Sequence, residues 1–154
     1  MNPPQSVDQA LAEFRHRIRL FLTFSEGAAR ALGLEPQQHQ LLLAVKGLPT
    51  GTRPTISAIA ERLVLRHHTV VELVDRLAAR RLVRRKRSDV DAREILLALT
   101  PTGAALLARL SASHRSELEK AGPALVAALD GVIRTAPRKK RAKRKPSAPR
   151  KRPS

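Results

Sequence analysis

A mainly helical fold with one small antiparallel hairpin is what this sequence predicts, on three observations. Apolar residues recur at spacings of three and four through most of residues 6–135, the mark of helices that each bury one face. The pattern is interrupted between residues 83 and 100, where a basic run, the turn-forming Asp89-Val90-Asp91-Ala92 and an imperfectly alternating return read as two short strands. Gly and Pro punctuate the joints: Gly33 and Pro36, then Gly47, Pro49, Gly51 and Pro54, then Pro101 and Pro123. With no Trp, no Tyr and only three Phe in 154 residues, the core must be aliphatic.

The first helix, residues 6 to 31, carries Val7, Leu11, Phe14, Ile18, Phe21, Leu22 and Ala29 on one face, with Ser6 as N-cap and Gly33 as its stop. Pro36 opens a second helix, PQQHQLLLAVKGL, in the first turn, where its missing N–H costs nothing. Thr55 and Ser57 offer caps for the short ISAIAERL, striped by Ile56, Ile59, Ala60 and Leu63. The next helix, about residues 67 to 80, packs through Val70, Leu73, Val74 and Leu77, which sets His68, Glu72, Asp75 and Arg76 on the opposite side. Leu82 and Val83 lead into the first strand, and Glu94 to Thr100 forms the half-buried return. Thr100 caps a helix running from Pro101 to about Ala121, and Pro123 opens a sixth and last, PALVAALDGVIRT. A first helix with Phe14, Phe21 and Phe24 partly exposed makes a poor monomer, so the outer helices are expected to pair between two chains.

The formal charge is +17 and unevenly placed. Residues 1–136 hold 20 Lys and Arg against all 13 acids, a balance of +7, while residues 137–154 hold the other ten cations and no acid. Such a surface concentrates a polyanion and steers its approach. The segment PRKKRAKRKPSAPRKRPS has four Pro and nothing aliphatic larger than Ala, so it buries too little to offset its ordering entropy and is expected to be disordered. The absence of cysteine excludes a disulfide framework, a thiolate zinc site and a cysteine redox switch. The apolar stretch IRLFLTF contains Arg19 and falls far short of the roughly 20 residues a membrane span needs. No signal peptide or membrane anchor is expected, and a cytoplasmic, nucleoid-associated location fits the charge. The acids are scattered, and there is no phosphate-cradling glycine loop, G-x-S-x-G or H-E-x-x-H, so neither an enzyme nor a cofactor is expected.

A helix pair followed by a basic two-stranded wing places one helix in a DNA major groove and an arginine beside it. Arg66, His67, His68 and Thr69, at the start of the second helix of the pair, would meet base edges, with Glu72 and Arg76 further along the same side. The bland reading of Glu72 and Arg76 is an i, i+4 surface pair. Adjacent His67 and His68 point about 100° apart on a helix and have no carboxylate or cysteine at ligand spacing, so DNA contact or solvent outweighs zinc. Arg80-Arg81 and Arg84-Arg85-Lys86-Arg87 bring six cations to the wing and its approach, where phosphate contact is the expected role. His16, His39 and His114 read as ordinary polar-face or interface histidines, their spacing predicting no shared geometry.

The segment resembles the multiple-antibiotic-resistance regulator (MarR) family. The resemblance lies in Thr55-Ile56-Ser57-x-Ile59-Ala60-x-x-Leu63, Thr69-Val70-Val71-x-Leu73-Val74-Asp75-x-Leu77, Leu82-Val83-x-Arg85, Asp91-x-Arg93 and Leu99-Thr100-x-x-Gly103, about a third of the chain. It implies a winged helix-turn-helix of residues 1–136, with a DNA-binding core at about 36–100 that includes Thr55 and Ser57. It further implies dimerisation helices at about 6–31 and 101–135, a homodimer on a pseudo-palindromic site in double-stranded DNA, and in many members a cleft for a small effector, here an apolar or acidic aromatic compound. By the same resemblance Asp91 orients Arg93 into the minor groove, although Ala92 stands where a second basic residue is common. A sequence-specific regulator, more a repressor than an activator, is the expectation. The rival is an architectural DNA-binding protein, supported by the tail cations Arg138, Lys139, Lys140, Arg141, Lys143, Arg144, Lys145, Arg150, Lys151 and Arg152 as phosphate contacts; a third reading is a protein-interaction module.

Overall fold

Local capping sets where each element begins. The computed structural model describes residues 6–135. Within them lie α1 (Val7–Ala31), α2 (Pro36–Lys46), α3 (Ile56–Leu63), α4 (His67–Ala79), β1 (Val83–Arg87), β2 (Ile95–Leu99) and α5 (Pro101–Thr135). Ser6 Oγ accepts the Gln9 N–H at 3.1 Å while the Gln9 side chain accepts the Ser6 N–H at 3.0 Å, a reciprocal capping box. Thr55 Oγ1 accepts the Ala58 N–H at 3.1 Å to start α3, and Thr100 Oγ1 accepts the Gly103 N–H at 3.0 Å to start α5.

Three helices end by one device. The N–H of Leu34 reaches back to Ala29 O, that of Leu65 to Ala60 O, and that of Leu82 to Leu77 O, at 3.0, 2.9 and 2.9 Å. Each closure needs a left-handed residue just before it, supplied by Gly33 (φ 74°), Val64 (φ 54°) and Arg81 (φ 57°). The turn between α3 and α4 is thus made by a β-branched residue in a conformation that favours glycine.

The strands pair antiparallel with Val83 opposite Leu99 and Arg87 opposite Ile95. Thr55 bridges Leu96, and Leu97 donates its N–H to Pro54 O at 2.8 Å, so the segment entering α3 lines the free edge of β2 and ties the hairpin to the helix pair. The core is aliphatic: Leu41 and Leu42 of α2, Ile59 of α3, Val70, Val74 and Leu77 of α4, Leu97 of β2 and Leu110 of α5 are all at most 2% exposed. Gly103 lies so close to the end of α4 that a Cβ there would fall 2.0 Å from Leu82 O; only glycine lets α5 seat on this turn.

One expectation needs correction. The last helix does not divide at Pro123: α5 is one helix of 35 residues with Pro123 inside it, which makes five helices rather than six among the described residues. Good helix formers, Glu117 to Ala121 before it and the Ala- and Leu-rich residues 124–129 after it, carry the helix through a residue that can donate no hydrogen bond. The α1 stripe is buried within the subunit only at Ala29; Val7, Leu11 and Leu22 are exposed, and Phe14, Ile18 and Phe21 half-buried. No helix among the described residues is long and apolar enough to cross a membrane. The basic stretch 137–154 lies outside the described residues.

Candidate nucleic-acid interface

Burying Val70, Leu73, Val74 and Leu77 turns the other face of α4 outward, where His67, His68, Glu72, Asp75 and Arg76 are exposed and Thr69 is half-buried. Arg66 precedes the helix and makes no side-chain cap, so the first-turn N–H groups are left to an outside acceptor. Glu72 and Arg76 form no ion pair among the described residues. Asp75 instead binds Arg85 of β1, its Oδ1 2.6 Å from the guanidinium, which ties the exposed face of α4 to the wing. Of the wing cations on β1, Arg84, Arg85, Lys86 and Arg87 are all exposed behind a buried Val83. Thr55 spends its hydroxyl on the α3 cap, and Ser57 is exposed in the first turn.

The wing apex is organised by residues that sequence reading passed over. Ser88 is buried, and its Oγ accepts the N–H groups of Val90 at 3.1 Å and Asp91 at 3.2 Å. Arg53, from the loop before α3, donates to the same Oγ and pairs with Glu94. Asp91 accepts the backbone N–H of Arg93 at 2.9 Å, leaving the Arg93 side chain exposed. Ser88 followed two residues later by a free N–H is a local turn signal that could have been read; Arg53 is 35 positions away and carried none.

Behind this surface, α1, α2 and α5 flank an open cavity of about 530 Å³ lined by Phe21, His39, Leu43, Ser111, His114 and Leu118, with Arg115 and Glu119 also on its wall. Two histidines expected to share no geometry meet here, their ring centroids 4.8 Å apart, with Phe21 and Phe24 edge-on to His114. Helix packing brought together residues too distant in sequence to pair by spacing; His16 stays apart and exposed. His114 Nδ1 lies 2.7 Å from the Leu110 carbonyl and must donate, so in the neutral ring Nε2 accepts from Ser25 Oγ, also at 2.7 Å. His39 is buried with Nδ1 unpartnered, and burial, then the neighbouring His114, hold its pKa below the ordinary histidine range.

The family model for MarR matches residues 32–94, which span α2, the helix pair and the outgoing wing strand. Residues 32–94 are thus similar to the MarR family, and the chain has the winged-helix fold. Solved structures of the same fold include the transcriptional repressor CouR bound to a 23-mer DNA duplex, 28% identical over 83% of this chain and 89% of CouR, at a TM-score of 0.61. Apo MarR of E. coli is 18% identical over 78% of this chain and 90% of its own, at 0.62. BpsR of Bordetella bronchiseptica, whose DNA binding is regulated by 6-hydroxynicotinic acid, is 20% identical over 78% of this chain and 86% of its own, at 0.59. No curated protein sequence matches the chain. In this chain the exposed α4 face and the basic wing lie side by side, joined by the Asp75–Arg85 pair.

Proposed function

We propose that this protein is a transcriptional regulator that binds a pseudo-palindromic DNA site as a homodimer and represses until a small effector releases it. The observation that carries this reading is the exposed polar face of α4 beside four consecutive exposed cations of β1, the two joined by the Asp75–Arg85 pair. A helix so presented fits a major groove and a basic ribbon fits the flanking phosphates and minor groove. The DNA-bound CouR, at 28% identity, supports the same use of this fold.

Dimerisation is supported by apolar side chains that this subunit leaves uncovered near the ends of α1 and α5: Val7 at 48%, Leu11 at 41%, Val126 at 60% and Ile133 at 61% exposed. A second copy covers such faces most economically, because a two-fold axis pairs like with like. The α1–α2–α5 cavity is suited to an apolar or acidic aromatic effector, as its walls are mostly carbon with imidazole and Arg115 at hand. A compound series assayed by thermal shift tests that point.

Binding to a genomic fragment library at physiological salt tests the main reading. One enriched pseudo-palindrome is expected. Uniform coverage would instead favour an architectural role, for which the ten cations between Arg138 and Arg152 are the specific support.

A further inference from the structure

The wing apex carries a valine where charge would be the cheap choice. Val90 is 88% exposed, between two aspartates, on a hairpin whose outgoing strand reads Arg-Arg-Lys-Arg. It packs against nothing that would repay its exposure. Its backbone, however, is held firmly: the buried Ser88 Oγ takes the N–H of Val90 and of Asp91, and Arg53 clamps that oxygen while pairing with Glu94. The flanking acids are turned to other work, Asp89 toward Lys86 at 3.4 Å and Asp91 onto the Arg93 N–H. An apolar side chain is thereby displayed at the tip of a basic ribbon, beside the exposed Arg93.

We infer that Val90 is a specificity-determining contact in the minor groove, selecting against guanine by steric exclusion, with Ser88 and Arg53 as its positioning residues. This rests on the reading of the protein as a DNA-binding winged helix. In the minor groove A·T and T·A present only acceptors, whereas G·C adds the guanine 2-amino group, which stands up from the groove floor. A branched aliphatic group meets the flat A·T floor without loss. Over G·C it desolvates an amino donor that it cannot pair, and it collides with it. The arginine and the valine then read different properties of the groove. Arg93 answers to the negative potential of a narrow groove, and Val90 to the presence of one amino group.

Inosine isolates the amino group from major-groove readout, because an I·C pair keeps the major-groove face of G·C and lacks the 2-amino group, and the Val90 variant then separates the valine from Arg93. The experiment compares the affinities of the full-length protein for alternating dI·dC and dG·dC duplexes of equal length. Preference for dI·dC by roughly fivefold or more is expected of the native protein, within the discrimination one groove contact supplies. Val90→Ala should narrow that preference by gaining affinity for dG·dC, a change of sign that mere loss of structure cannot produce. Ser88→Ala, which frees the apex with Val90 in place, should narrow it as well. Equal affinity of the native protein for both duplexes, or an unchanged preference in Val90→Ala, would overturn the inference. Neither outcome touches the regulator reading, which falls only if the genomic selection yields no enriched site.

Discussion

Arg93 leaves the wing with its own N–H already held by Asp91, so its side chain enters a complex with part of the ordering cost met in the free protein. Arg93→Ala is expected to weaken binding to the preferred site by about 1 to 3 kcal/mol and binding to random duplex by much less. Parallel titrations on the two DNAs measure this, and an equal loss would reduce Arg93 to a phosphate contact. Val64 shows the opposite economy. It is 91% exposed and sits at φ 54°, a left-handed conformation that costs a branched residue about 1 to 2 kcal/mol. Val64→Gly removes that strain and returns part of it as unfolded-chain entropy, so a net stabilisation of about 0.5 to 1 kcal/mol is expected in urea unfolding. A fall in midpoint would mean that the valine is covered by a partner not seen in the single subunit.

The helix pair was legible because its signals are local: Thr55 caps within three residues, and the stripe Val70, Leu73, Val74 and Leu77 declares its own face. The wing was legible for the same reason, since Asp89-Val90-Asp91-Ala92 can do little but turn. What stayed hidden was set by distance in sequence. Arg53 reaches Ser88 across 35 positions, His114 reaches Ser25 across 89, and no periodicity encodes either contact. At Pro123 the local signal was present and was overruled by the helix on both sides. Its side chain is exposed, so the substitution Pro123→Ala forfeits no packing while restoring a backbone donor. A stabilisation of about 1 to 3 kcal/mol is expected, read as a higher Tm at fixed protein concentration, because Pro is roughly 3 kcal/mol worse than Ala inside a helix. An unchanged Tm would show that the break is already absorbed by the neighbouring turns.

At the scale of the whole molecule, charge and reach decide the behaviour. Ten cations beyond Pro137 follow a body that itself balances at +7, and a tethered basic segment stays near DNA that the winged helix already holds. Deleting residues 137–154 should flatten the slope of log affinity against log salt by about 0.9 for each phosphate released, and weaken specific and random DNA by a similar factor. An unchanged slope would take the tail off the DNA and remove the main support for the architectural reading. The uninterrupted α5 sets the other length that matters. One end of it is seated through Gly103 on Leu82, at the turn between α4 and the wing, and His114 lies at the cavity roughly 20 Å from Pro101, at 1.5 Å of rise per residue. If α5 turns as a rigid rod about His114, its first residue swings with it. A tilt of about 5° there moves Pro101 by about 1.7 Å, while base-edge hydrogen bonds tolerate only a few tenths of an ångström around roughly 2.9 Å. An occupant of the cavity that tilted α5 by so little would therefore shift the turn between α4 and the wing by more than a base contact tolerates.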